Sequence, residues 1–337
     1  MIRIERGNAL LCGILALLVG VGSAFAAEPA RPPVKITVAS FQIGSTWYVY
    51  SVSLGRILTG VLPKGSTIDT PPLGGGSANT RLVEEGKATI GFSHALANRW
   101  AWDGTVAYDK PMHHLRGLVG GLDVYYLAVI AAGKNAGPDL ETYFKRDKPD
   151  ARVDLNPPGS IATYAGQLEL GLAGASPEEL KKHGGGVNLV PASVIRDDIA
   201  DGRADAFVNV ITVGHPLTTQ ITQVHDVTFL QPSKKLLQEM HDQYGFGTAV
   251  LPKGSFRGQD QDITLPSTVT ALIARDDMPE WLAYDITKAV CEHTEQLVAA
   301  TKALKDFKPE EAWQPASINL PLHPGAARYY RERGWLK

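Results

Sequence analysis

One pattern occurs twice along the chain, and it limits the possible folds more than any other feature. The stretches "EEGKATIGFSHA" (84–95) and "ADGRADAFVNVI" (200–211) both read as helix end, glycine, basic residue, alanine, strand. Each follows a Gly-Ser turn: Gly44 stands 42 positions before Gly86, and Gly159 stands 43 before Gly202. Around these marks, strands alternate with helices. "VKITVASF" alternates and is rich in β-branched residues. The helix after it, capped by Ser45 or Thr46, carries Leu54, Ile57, Leu58 and Val61 at i, i+3, i+4, i+7. "STIDTPP" and "ATIGFS" are strands, with a helix capped by Ser77 and stopped by Gly86 between them. "HALANRWAWDG" is the next helix. Further on, "ARVDLNPPGSIATYAGQLELGLAGA" runs strand, turn, helix, with Ile161, Tyr164, Ala165, Leu168 and Leu172 on one face. "SPEEL" is a capping box with proline at the first helical position. "VNLVPAS", "VIRDDIADG" and "ADAFVNVI" complete a second copy. Such alternation predicts an α/β fold with a parallel sheet, and two similar units predict two facing lobes. "LRGLVGGLDVYYLAVIAAG" and "ITLPSTVTALIA" are the stretches expected to cross between the lobes. "MPEWLAYDITKAVCEHTEQLVAATKAL" is read as one helix with Leu282, Ile286, Ala289, His293 and Leu297 in line.

The first residues are set apart from this fold. Arg3 and Arg6 precede the apolar run "ALLCGILALLVGVG", and "SAFA" supplies small residues at Ala24 and Ala26. That order is a secretory signal peptide, 1–26, with cleavage after Ala26. The 33 basic and 35 acidic residues become 31 and 34 once Arg3, Arg6 and Glu5 leave, a net charge of −3. This gives no field for nucleic acid or anionic lipid. Cys291 is then the only thiol, so no intramolecular disulfide forms and the fold relies on burial. A mature chain of roughly 310 residues favours two lobes over a single core.

Chemistry is sparse. "PPLGGGSANTRLVEEG" (71–86) lacks the lysine of a phosphate loop and places Asn79 where a dinucleotide fingerprint needs glycine. "GFSHA" (91–95) approaches the G-x-S-x-G nucleophile elbow, with Ala95 in place of the last glycine, and makes a serine hydrolase using Ser93 the rival reading. His113 and His114 are adjacent and diverge, and "CEH" at 291–293 has no second cluster near, so no metal site is expected. His293 reads as a packed or edge histidine, and His183, His215, His225, His241 and His323 read as surface or turn residues. What remains is a set of helix starts behind small hydroxylated residues: Ser45-Thr46, Ser77, Ser93 and Ser160-Thr163. Such starts present unpaired N–H groups and hold a carboxylate without a buried arginine. In open α/β sheets they gather at the carboxyl edge of the strands. The glycines then let a small anionic solute approach the backbone at the Ser77 helix.

The mature chain resembles the TAXI family of TRAP transporter solute receptors over nearly its whole length. The stretches that carry the likeness are "IGSTWYVY", "GGGSANTRLVEEGKATIGFSHA", "NPPGSIATYAG", "DGRADAFVN", "LPKGSFRGQDQDI" and "LHPGAARYYRERG". The resemblance implies a type II periplasmic binding-protein fold, lobe 1 being 34–125 with 246–337 and lobe 2 being 126–245. It also implies delivery of a small carboxylate, an organic acid or acidic amino acid, to the membrane permease subunits of the transporter. By position, the implied ligand residues are Ser45, Thr46, Trp47 and Tyr48; Gly76, Ser77 and Asn79; Ser93 and His94. From the second lobe come Gly159, Ser160, Thr163 and Asn209, with Tyr126 beside them. A periplasmic monomer, not an enzyme, with no cofactor and no metal is expected. Where many members carry an aspartate able to meet a ligand ammonium, this chain has Leu96, which favours a plain carboxylate. The first loop also carries fewer glycines than is usual in the family.

Overall fold

Both copies of the repeated pattern fold as parallel strand–helix–strand units. The structure, a computed structural model, describes residues 31–337 apart from Gln42, Gly44, Leu73, Asn135, Ala136 and Pro138. The expected signal peptide, its cleavage site and Gly44 lie outside the described residues. In the first unit, β1 (Lys35–Ala39) pairs in parallel with β2 (Thr67–Asp69) and β3 (Ile90–His94). The helices α1 (Thr46–Val61) and α2 (Ala78–Glu84) make the crossovers. α1 starts where the Ser45 hydroxyl accepts from the Tyr48 amide at 3.2 Å, and it buries Trp47, Tyr50, Leu54, Ile57 and Leu58. α3 (Ala95–Asp103) ends at Gly104 in the left-handed region.

Next come β4 (Leu115–Val119), β5 (Val124–Ala132) and the short α4 (Leu140–Thr142), which runs on as a wider turn over Tyr143–Asp147. The second unit comprises β6 (Arg152–Leu155), α5 (Ile161–Leu172), α6 (Pro177–Lys182), β7 (Gly186–Leu189), α7 (Ala192–Ala200) and β8 (Ala206–Ile211). β6 is parallel to both β7 and β8. Gly86 and Gly202, the matching glycines of the two copies, both have positive φ (69° and 66°) just past a helix, where an L side chain is strained. The chain continues through α8 (Pro216–Val224), β9 (Val227–Phe229), α9 (Lys234–Tyr244), β10 (Gly247–Leu251) and β11 (Ile263–Arg275). It ends with α10 (Glu280–Glu292), α11 (Thr294–Ala300), α12 (Pro315–Ile318) and α13 (Pro324–Glu332).

β11 joins the two units. Its residues 263–267 pair with β10 and 267–269 with β5; then 270–274 pair with β3, and its last residues with β4, all antiparallel. The strand order is therefore β2-β1-β3-β11-β5-β8-β6-β7. One apolar cluster packs α1, α10 and α13 against β1 and β3, including Trp47, Tyr50, Leu54, Ile286 and Tyr330. Another packs α7 and α8 against β5 and β8, including Tyr126, Phe207 and Ile221. A third runs from one half of the sheet to the other, from Leu96 and Trp100 through Tyr125 and Leu127 to Ile161 and Leu170.

The strand-rich stretch 115–133 forms two strands, β4 and β5, parted at Gly120-Gly121. A Cβ at Gly120 would stand 2.5 Å from the Ser317 carbonyl oxygen, so this break lets α12 sit against the backbone. The expected single C-terminal helix breaks at His293 (φ −112°, ψ 30°) into α10 and α11. There the Thr294 hydroxyl donates to the Cys291 carbonyl and His293 Nδ1 contacts that of Ala289, side chains competing with the helical ladder. Leu282, Ile286, Ala289 and Leu297 are still buried on both sides of the bend.

Candidate functional site

The expected residues fall into three groups. The first lies where α1 and α3 begin. Trp47, in the first turn of α1, is 4% exposed, and its indole N–H donates to Thr270 Oγ1 on β11 at 3.0 Å. Its ring lies 4.7 Å from that of His94, the N-cap residue of α3, and 6.2 Å from that of Tyr125. His94 and Tyr125 meet edge to face at 4.8 Å. Thr46 lies close to the Tyr125 hydroxyl, which burial, followed by the Asp123 charge, pushes well above its ordinary range. Tyr48, half-buried, gives its amide to Ser45. His94 is 4% exposed, and its Nδ1 has no hydrogen-bond partner. Burial drives its imidazole down to about 3, so the ring is neutral at neutral pH.

Behind this aromatic triad, Tyr50 donates to Asp123 Oδ2 at 2.8 Å, while Asp123 Oδ1 has no partner. Burial pushes Asp123 up to about 6 against the opposing hydroxyls of Thr270 and Tyr50. The sequence reading missed Tyr125, Asp123, Thr270 and Tyr50. The only available signal was Asp123 itself, the one charge inside "GGLDVYYLAV".

The second group is the glycine turn and its contact with the other half of the sheet. Gly74, Gly75 and Gly76 all have positive φ (95°, 106° and 35°). A Cβ on Gly74 would fall 1.9 Å from Asn79 Oδ1, and on Gly75 2.2 Å from the Phe41 ring. On Gly76 it would fall 2.6 Å from the Gly159 carbonyl oxygen and 2.7 Å from the Ile161 amide nitrogen. The glycines admit close neighbours, and those present are protein groups of the turn itself, of Phe41 and of the Gly159–Ile161 segment. The Ser77 amide and hydroxyl both donate to the Gly159 carbonyl, each at 3.3 Å. Ser77 precedes α2 without capping it, since its own backbone is helical (φ −80°, ψ −11°) and its side chain makes no cap bond; that expectation is corrected. Asn79 is fully buried. Its Nδ2 donates to the carbonyls of Ser40 and Phe92, both at 2.7 Å, and its Oδ1 accepts from the Gly75 amide at 2.7 Å. Both amide protons are thus engaged in holding the turn. On the facing side, Ser160 caps α5 by accepting from Ala162, and Thr163 Oγ1 donates to the carbonyls of Asn156 and Pro157 at 2.7 and 2.8 Å.

The third group sits on β5 and β8. Asn209 Oδ1 accepts from the Val210 amide, and Tyr126 packs with Phe207 and Ile211. Strand alternation turns Tyr126 to the opposite face from Tyr125, so it is Tyr125 that joins Trp47 and His94.

Ser93 does not have the surroundings of a nucleophile. It is fully buried, and its hydroxyl donates to Asn98 Oδ1 at 2.6 Å, with Asn98 in turn donating to the Ile318 carbonyl. An amide oxygen cannot act as the general base of an elbow serine. Among the described residues, no three His, Cys, Asp or Glu side chains gather as metal ligands would. His323, expected at the surface or in a turn, lies in the loop before α13, buried, and caps that helix through Nδ1, which accepts from Gly325 at 3.2 Å. Cavities of about 410 Å³ beside Trp102 and about 750 Å³ beside Phe229 and Arg257 include none of the expected residues.

The fold is that of periplasmic binding proteins. The chain is similar to MatC from Rhodopseudomonas palustris with bound malate, at TM-score 0.55 and 15% identity, covering 90% of this chain and 99% of that one. It is also similar to PhnD1 from Prochlorococcus marinus in complex with methylphosphonate (TM-score 0.54, 10% identity, 82% and 91% covered). The periplasmic binding protein BugD matches at TM-score 0.50 and 16% identity over 81% of this chain and 88% of that one. The model of the NMT1-like family matches residues 38–334, and the chain belongs to that family.

Proposed function

We propose that the protein is an exported solute-binding receptor of the TAXI type that captures a small carboxylate and presents it to the permease of a TRAP-type secondary transporter. In this reading residues 1–26 are removed on export to the periplasm. Lobe 1 (34–125 with 246–337) and lobe 2 (126–245) close on the solute as a hinge pair, with β5 and β11 as the crossing strands. The observation that carries it is the direct contact between Gly76-Ser77 and Gly159–Ile161, two loops from opposite ends of the strand order. Binding proteins bring such loops together when they close. A receptor also accounts for a cluster of neutral, hydroxyl-rich helix starts with no nucleophile–base pair beside them. The likeness in fold to a malate-bound protein adds support for a small carboxylate. Asn79 and Thr163 act in this reading by fixing their loops, while Thr46, Trp47 and His94 face the solute.

The test is a thermal-shift screen of the ligand-stripped mature protein against organic and amino acids, since a ligand that binds only the folded state raises its apparent stability. Uptake of any hit is then followed in membrane vesicles holding the permease. A hit that raises the Tm saturably and is transported only when the protein is added supports the reading. If no carboxylate in the panel shifts the Tm at millimolar concentration, the reading is wrong.

A further inference from the structure

β11 changes partners at one point, and a buried acid sits there. Residues 267–269 pair with β5 and residues 270–274 with β3, so the strand passes from one half of the sheet to the other between Val269 and Thr270. At that point the Thr270 amide donates to the Asp123 carbonyl at 3.1 Å, and the Leu122 amide donates to the Thr270 carbonyl at 3.0 Å. Asp123 stands immediately before β5. Its backbone therefore ties the start of one crossing strand to the middle of the other.

The side chain of Asp123 turns inward from the same place. It is 5% exposed, Oδ2 accepts from the Tyr50 hydroxyl of α1 at 2.8 Å, and Oδ1 has no partner. The Thr270 hydroxyl, which accepts the Trp47 indole N–H, lies beside the carboxyl. The groups facing Asp123 are Tyr50 from α1, Tyr125 from β5 and Thr270 from β11, with His94 at the start of α3 behind the Tyr125 ring. Burial, followed by the Asp123 charge, pushes both tyrosine hydroxyls above their ordinary range, and burial keeps His94 neutral. No cation is among the groups that act on the Asp123 carboxyl. An ionised Asp123 would be a buried charge with one oxygen unsatisfied, and a proton on Oδ1 removes that charge.

We propose that Asp123 is a proton-controlled clasp on the two crossing strands. With its proton in place it holds the junction of β5 and β11 closed, and loss of the proton draws water to Oδ1 and loosens that junction. In the receptor reading above, on which this role rests, β5 and β11 are the hinge strands, so the hinge is stiffer in acid than at neutral pH.

The experiment is amide hydrogen exchange of the mature protein between pH 5 and 7, followed by NMR at the Leu122 and Thr270 amides. Each rate is divided by the chemical rate of an open amide at that pH, which gives the equilibrium for local opening. Burial holds Asp123 at about 6 in the closed junction, above the ordinary carboxyl value near 3.9 that it regains when hydrated. The proton's contribution to closure is thus full below the ordinary value and is lost as pH rises through about 6. The expected result is that opening increases about tenfold from pH 5 to pH 7. In Asp123→Asn it does not change with pH. Tyr50→Phe removes a donor to the carboxylate and moves the rise to higher pH. A change of less than threefold in the unmodified protein overturns the proposal, and so does the same rise in folded Asp123→Asn. If Asp123→Asn does not fold, the Tyr50→Phe shift decides together with direct titration of the Asp123 carboxyl carbon, where a midpoint below pH 5 overturns the proposal. Exchange needs no solute, so its failure leaves the receptor reading standing. A failed ligand screen with pH-dependent exchange intact removes the hinge role and leaves the clasp.

Discussion

Asn79→Ala isolates how much of the glycine turn depends on a single side chain. Asn79 makes three hydrogen bonds of 2.7 Å to backbone groups on three separate segments: the Gly75 amide in the turn, the Ser40 carbonyl after β1 and the Phe92 carbonyl in β3. The residue has no exposed surface, so truncation leaves these three groups without that partner. A buried polar group deprived of its partner costs about 1–3 kcal/mol. Three of them set an upper range of about 3–9 kcal/mol, which water entering the vacated space reduces. A loss of about 3 kcal/mol follows, or a fall in Tm of about 5 °C for a chain of this size. Equilibrium urea unfolding followed by circular dichroism measures it. Asn79→Asp serves as the internal comparison: it keeps the acceptor for Gly75 but places carboxylate oxygen against two carbonyls, so it must be at least as damaging. A loss below 1 kcal/mol in Asn79→Ala would refute the claim that this side chain holds the turn.

Gly76→Ala places a methyl group where the Gly159 carbonyl and Ile161 amide already stand. Overpacking of this kind costs about 1–3 kcal/mol, and because it arises only when the two loops meet, it weakens binding of a confirmed solute by ~5- to 150-fold; unchanged affinity by titration would separate the contact from closure. Glu169 on α5 is fully buried, neither of its oxygens has a partner, and burial, followed by the nearby Glu141 charge, pushes it well above the ordinary carboxyl range. Its raised folded value means that stability is full below the unfolded value and falls as pH rises from there toward the folded value. Glu169→Gln should therefore flatten the fall of Tm with pH above the ordinary carboxyl range, and an unaltered slope argues against the assignment. Ser93 donates to an amide oxygen, so a fluorophosphonate probe should leave the protein unlabelled; stoichiometric labelling lost in Ser93→Ala would restore the hydrolase reading.

The local sequence determined what depends on a few adjacent residues. Ser45, Ser160 and Ser176 start helices because a short hydroxylated side chain reaches an amide two or three positions on. Gly86, Gly104 and Gly202 end them because only glycine takes a positive φ without strain. Alternation of such helices with β-branched runs was enough to read two α/β units and the parallel sheet. Where strands lie between distant segments was not legible in the same way. Tyr125 and Tyr126 are equally aromatic neighbours, and only the register of β5 against β8 and β11 turns one toward Trp47 and the other away. The indole of Trp47 is held by Thr270, 223 positions later, and Ser77 is held by Gly159 rather than by its own helix. His94 entered the sequence reading only through the family resemblance, and its burial with an unmet hydrogen bond came from the fold. Helix caps and glycine stops depend on the covalent chain within one turn, whereas this cluster depends on which segments the sheet order brings side by side.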